Sequence, residues 1–329
     1  MAIRELGQSV RERLTFSGNS DGEGLITRRR LKIAFIVLAL LLIFYYPVGA
    51  LLIHKIDDDL DYKVQVPLGS EAQSRAVAMA ASLIDREVNK NGWTRNDPFF
   101  QPAAILDNMP NFQQGIIDAL GRFAYELADQ IGRRRGSSQV DPDLEEVSGA
   151  LQISGNRWML SSSAGLQATS ESEYNKAYKA LVSYNERVAR GDAVFERRAD
   201  NLLATLDRIA LDLGSSSDAV EKHLVKAGDF GIDREGDNIF YTNKGQLYAY
   251  YMVLRELGVD FQAVIEQKDI TKLYAEMLET LRDAAELQPW IVINGSPDGL
   301  VFPSHLASQG FYLLRARTKM REITNVLLK

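Results

Sequence analysis

Apolar positions along this chain fall into one unbroken block and a series of stripes. The block is Ile33–Ile53, 21 residues without a charged side chain. As a helix it covers about 30 Å at 1.5 Å per residue, the thickness of a bilayer's hydrocarbon core. It is expected to form a single transmembrane helix, with Pro47 bending its outer third. There is no GxxxG pair to specify close pairing of two such helices. A cleaved leader is the rival reading, since Val48 and Ala50 would suit a cleavage site. Against it, the apolar run is longer than a leader's, begins late, and continues as Leu51-Leu52-Ile53 past the cut.

Elsewhere apolar residues recur every three or four positions, the helical period. Ser70 with Gln73 spells a capping box ahead of the stripe Ala72, Ala76, Ala80, Ile84 and Val88. Asn111 with Gln114 opens a helix carrying Ile116, Leu120, Phe123, Leu127 and Ile131. Asp141-Pro142 starts a short one, because proline suits the first helical position. Ser170 with Glu173 opens a helix through Tyr174, Leu181 and Val188 that Gly191-Asp192 breaks. The next runs from Phe195 to Leu213 and ends at Gly214, and these two are expected to fold back as an antiparallel hairpin. Further helices are expected near 217–226, 243–257, 269–287 and 304–328. Trp290–Ile293 and Leu300–Phe302 flank Asn-Gly-Ser-Pro-Asp-Gly and predict one small β-hairpin. The expected fold class is mostly α: one N-terminal transmembrane helix plus a helical-bundle periplasmic domain with at most one small β-hairpin.

Ile3, Leu6, Val10 and Leu14 share one face of a helix over 2–15, flanked by Arg4, Arg11 and Arg13. That is the layout of a helix lying on a membrane surface. Residues 17–24 are polar with three glycines and predict a flexible linker. Basic residues set the orientation: Arg28, Arg29, Arg30 and Lys32 stand before the block, while 54–73 holds only Lys55 and Lys63. The expected organisation is a cytoplasmic tail over 1–32, a transmembrane helix over 33–53 and a juxtamembrane linker over 54–68. A periplasmic helical domain over 69–329 follows, with a sub-boundary near 137–168.

The chain has no cysteine, which excludes disulfides, thiolate metal sites and a cysteine nucleophile. Seven of its 38 basic and four of its 44 acidic residues precede His54, so the larger part is net acidic by about nine charges. Such a surface repels phosphate, and no nucleic-acid partner is expected.

Candidate chemistry is sparse. The histidines His54, His223 and His305 form no HExxH, and no metal is expected. Asp229–Asp237 resembles a calcium loop, but counted from Asp233 the sixth position is Asn238 and the twelfth Lys244, where glycine and glutamate are required. It is expected to be an acidic surface turn. Ser161–Gly165 lacks the first glycine of a nucleophile elbow. With no GxGxxG or P-loop, no cofactor is expected. Tyr241, Tyr248, Tyr250 and Tyr251 either line a groove for sugars or peptides, or face the core at helical spacing. A carboxylate-based peptidoglycan hydrolase needs only one or two acids in a cleft, and the sequence singles out no pair.

Asn91-Gly92-Trp93-Thr94-Arg95-Asn96-Asp97-Pro98-Phe99-Phe100, then Leu106-Asp107-Asn108-Met109-Pro110-Asn111-Phe112, and Arg197-Arg198-Ala199-Asp200-Asn201-Leu202, carry a resemblance. Together with the single N-terminal span they resemble DUF2333, an uncharacterised bacterial membrane family. The resemblance implies an inner-membrane protein of Gram-negative bacteria and supplies no activity or catalytic residue. The expected function is an inner-membrane-anchored periplasmic protein that binds another cell-envelope component as a scaffold or adaptor, with the lipid bilayer and an envelope protein as partners. The alternatives are an envelope enzyme acting on peptidoglycan, and a small-ligand sensor that signals through a partner.

Overall fold

The apolar block lies within one helix, α1 (Arg28–Ile53), in a computed structural model that describes residues 28–133, 139–161, 163, 165–226, 233–289, 292 and 304–329. By length and composition α1 can cross a membrane. Its large apolar side chains, Phe35, Leu41 and Phe44 among them, are exposed. Pro47 sits inside the helix without ending it. The basic residues Arg28, Arg29, Arg30 and Lys32 occupy its first turns. The expected surface helix over 2–15 and linker over 17–24, with Ile3, Arg4, Leu6, Val10, Arg11, Arg13 and Leu14, lie outside the described residues.

The chain divides into two compact units, Met1–Tyr45 and Tyr46–Lys329. In the second, α2 (Arg75–Asp85) runs on as a π-helical turn over Arg86–Lys90. α3 (Asn108–Glu126) runs on as another over Leu127–Ile131. Then come α4 (Pro142–Leu151), α5 (Ser170–Arg190), α6 (Ala199–Lys226), α7 (Arg234–Asp260), the short α8 (Gln262–Gln267), α9 (Thr271–Ala285) and α10 (His305–Leu327). α7 is the central element, packing on α3, α9 and α2, while α6 pairs with α10 and α5 with α4 and α2. The sequence allows the α3–α7 crossing to be backbone-close. A Cβ at Gly115 would stand 2.0 Å from the Thr242 carbonyl oxygen, and one at Gly245 would stand 2.1 Å from that of Phe112. Phe112, Phe123, Tyr174, Leu206, Leu254 and Leu313 are among the fully buried side chains of the core around this crossing and its neighbours.

Several helix starts differ from expectation, and each is capped by a neighbouring residue other than the one the sequence suggested. α2 begins at Arg75, with the Ser74 hydroxyl accepting from the Val77 N–H. Ser70–Gln73 forms only a turn, in which the Gln73 side chain accepts the N–H groups of Gly69 and Ser70. α3 is capped by Asp107 rather than Asn111. α5 is capped by Thr169, while the Ser170 hydroxyl is engaged by the Arg157 N–H and donates to the Ser154 carbonyl. α6 continues through Gly214, where a Cβ would lie 3.1 Å from the guanidinium carbon of Arg317 on α10. That glycine marks a close approach and stops nothing. The hairpin of α5 with α6 is not formed. Its connection is drawn away by the Glu196 N–H to Ile131 carbonyl bond at 3.0 Å and by Arg197 donating to the Ala72 carbonyl at 2.9 Å. The strand pair among the described residues is β1 (Leu160–Ser161) with β2 (Gly165–Leu166), antiparallel, with Leu160 opposite Leu166. The hairpin expected over 290–302 lies outside the described residues, apart from Val292, which is buried.

Candidate functional site

Residues 54–68 follow α1 as a strap fastened to the body along its length. Two residues of its acidic run are paired by cations that the helices bury, Asp57 by Arg86 and Asp58 by Lys244. Lys244, Tyr248, Tyr251 and Arg255 recur at three- and four-residue spacing, which puts them on one face of α7. The Lys244 ammonium is buried and directs its donors to Asp58 Oδ2 at 2.8 Å and to the carbonyls of Ala285 and Leu287 at 2.9 and 2.7 Å. It thereby joins the strap, α7 and the C-terminal end of α9. Burial lowers the pKa of this lysine, and Asp58 opposes that shift. Farther along, the Arg255 guanidinium donates to the carbonyls of Leu60 and Tyr62 at 2.8 and 2.7 Å. The Tyr248 hydroxyl donates to the Asp59 carbonyl at 2.8 Å and accepts from Arg86 at 2.7 Å.

Arg86 and Glu87 open the π-helical turn that ends α2, a distortion often found at functional positions. Both are buried. Arg86 Nε donates to Glu87 at 2.7 Å, and its guanidinium lies over the rings of Tyr62 and Tyr248 at 4.7 and 5.0 Å. Gln113 of α3 donates to the Glu87 carboxylate at 3.3 Å. Burial lifts the Glu87 carboxyl above its ordinary range against the pull of Arg86. The same burial raises the Tyr248 hydroxyl, which stays protonated. Glu87 faces no cavity. Its setting is that of a structural ion pair.

From Tyr62 to Leu68 the strap forms neither helix nor strand, bends at Val66 and alternates in exposure: Tyr62, Val64, Val66 and Leu68 are half-buried against the body, and Asp61, Lys63, Gln65 and Pro67 are exposed. The Ser82 hydroxyl accepts the Gln65 and Val66 N–H groups and holds this stretch to α2. Two open grooves run beside it and share Leu68 and Arg75, one of about 800 Å³ under Lys63, Gln65 and Arg255, the other of about 450 Å³ at Glu71, Arg197 and Asp260. Asp260, the last residue of α7, accepts the Arg75 and Ala76 N–H groups and the Ser74 hydroxyl at the positive end of α2. Its pKa is raised by burial against those bonds. Arg75 in turn reaches Glu256 at 2.7 Å. The groove wall therefore carries both signs of charge on a fixed framework.

A family model described as uncharacterized protein conserved in bacteria, DUF2333, matches residues 31–228 and 233–329. The chain belongs to the DUF2333 family. No curated protein and no solved structure matches it.

In this DUF2333 chain Tyr241, Tyr248, Tyr250 and Tyr251 are all buried, and none of them lines either of the two grooves beside the strap. Tyr250 donates to Asp212 at 2.6 Å, and Tyr251 packs under Arg255. Of the acidic turn, Asp233 caps α7 by accepting the Gly236 N–H and pairs with His223, while 227–232 lie outside the described residues. Two carboxyls are pushed up to about 6, Asp97 by burial and the neighbouring Glu171, and Asp237 by burial with Asp107 and Asp233. Among the described residues no set of three or more His, Asp or Glu side chains is placed to hold a metal. The sequence reading missed Arg86, Glu87, Lys244 and Arg255. Their signal was there: a charged residue at helical spacing within an apolar stripe, as Lys244 stands between Phe240 and Tyr248.

Proposed function

We propose that this protein is anchored in a bacterial inner membrane by α1, with its helical body in the periplasm, and works by binding another envelope component along the strap groove. The groove carries this reading. It is open, the strap 61–68 forms part of its wall, and Arg75, Arg197, Arg255, Lys63, Glu71 and Glu256 offer charges of both signs along it. An extended polypeptide finds main-chain and charged partners on such a surface. A small ligand is ordinarily enclosed in a pocket that is mostly apolar, whereas both grooves are open and mix polar with apolar wall. Chemistry on peptidoglycan has its best candidate acid in Asp97 beside Glu171, away from the groove. A photo-crosslinking residue placed at Gln65 or Glu71, both exposed, should capture one reproducible envelope partner in living cells, while the same residue at Glu186 on α5 should not. Failure to capture anything at Gln65 and Glu71, together with release of fragments from sacculi by the purified protein, would overturn the binding reading in favour of an enzyme.

A further inference from the structure

We propose that two uncharged tips of the body, Phe99–Ile105 and Trp158–Leu166, insert into the bilayer surface beside the end of α1. The inference rests on the reading of α1 as a membrane span. The Tyr46 hydroxyl donates to the Phe99 carbonyl at 2.7 Å, and a Cβ on Gly49 would lie 2.5 Å from the Pro102 ring. Tyr46, Gly49, Ala50 and Ile53 make one helical face that is covered, while Leu51 on the other face is 78 % exposed. The touched residues Tyr46 and Gly49 precede Ile53, the end of the apolar run, by four to seven positions. At about 1.5 Å per residue the contact therefore sits roughly 6–10 Å inside that run. A part of the body that meets the helix there is at the depth of the outer acyl chains, just beneath the headgroup layer that extends about 5–7 Å beyond each face of the hydrocarbon core.

Both tips suit that depth. No charged residue occurs over 98–106 or over 158–170, in a chain of which 25 % is charged. Phe99 is 84 %, Leu160 62 % and Leu166 82 % exposed, areas that favour transfer out of water. Leu160 and Leu166 are directly opposed on the strand pair, so they lie on one face. The two tips meet edge to face through Phe100 and Trp158, with ring centres 6.5 Å apart, and aromatic rings are favoured at membrane interfaces. Three N–H groups at the first tip are satisfied locally: those of Gln101, Ala104 and Leu106 donate to the carbonyls of Pro98, Gln101 and Ala103 at 2.8, 3.1 and 2.9 Å. Low-polarity surroundings require that.

The absence of native cysteine makes the test direct. Full-length single-cysteine variants F99C, L160C, L166C, L51C and R190C carry an environment-sensitive fluorophore in phosphatidylcholine–phosphatidylglycerol vesicles. Arg190 ends α5, which starts next to the second tip and is about 30 Å long, so it reports an exposed point of the body about 30 Å from that tip. Labels at 99, 160 and 166 should be quenched several-fold more by a shallow lipid-borne nitroxide than by aqueous iodide, with the reverse at 190. If 51 lies in lipid while 99, 160 and 166 are reached by iodide, or by neither quencher as under a protein partner, the insertion is wrong and the span stands. A label at 51 in water removes the span itself, and the insertion with it.

Discussion

Single residues in this protein do structural work that their chemistry alone would not announce. Asp97 is the clearest test. Its pKa is raised from 3.8 to about 6 by burial and by Glu171, so the folded state holds a proton that the unfolded chain has released between those values. The stability it contributes is full below about pH 4 and is lost as pH rises through about 6. Asp97→Asn should therefore be more stable than the parent at pH 7 by about 1 kcal/mol, a figure discounted for partial exposure, and no more stable at pH 4. Denaturant titrations at the two pH values check both halves. Asp97 gave no sign of this in the sequence, because its neighbour Glu171 is brought to it by the fold. Lys244 and Arg255 were visible as charges inside apolar stripes, but their partners were not: Asp58 is one acid of an unpatterned run, and the Leu60 and Tyr62 carbonyls that Arg255 binds leave no side-chain pattern.

At the scale of elements, the helical period was readable almost throughout, and what it could not specify was who caps and who pairs. Ser74 rather than Ser70 starts α2 because Asp260 arrives from the far end of α7. Gly214 looked like a stop and proved to be room for Arg317. The helices flanking Gly191 looked like a hairpin, yet α6 finds its partner in α10, about a hundred residues on. The glycines at the α3–α7 crossing give the sharpest expectation. Gly115→Ala drives a methyl group into the Thr242 backbone and should cost about 3 kcal/mol, at the upper end of overpacking penalties. Gly149→Ala, in α4 with nothing within 4 Å of the new methyl group, should be neutral or stabilising by up to about 1 kcal/mol. Thermal melts of the two variants in one detergent should separate them by many degrees, and equal melting would show that the crossing relaxes freely.

The whole molecule is legible at its coarsest in one line of the sequence, Ile33–Ile53. An alkaline phosphatase fused after Lys329 should be active in cells, and the native protein should stay with membranes through carbonate washing. Activity confined to a cytosolic reporter at the same position would reverse the orientation, and release by carbonate would remove the anchor. The groove was not legible, because it is built from a linker that reads as spacer: DYKVQVPLGS has neither helical stripe nor catalytic motif.

The bonds from Lys244, Tyr248 and Arg255 to residues 58–62 have a consequence for mechanics. The segment that follows α1 is therefore not slack chain. If the proposed partner binds beside it, a pull on that partner loads several hydrogen bonds at once instead of first taking up free chain.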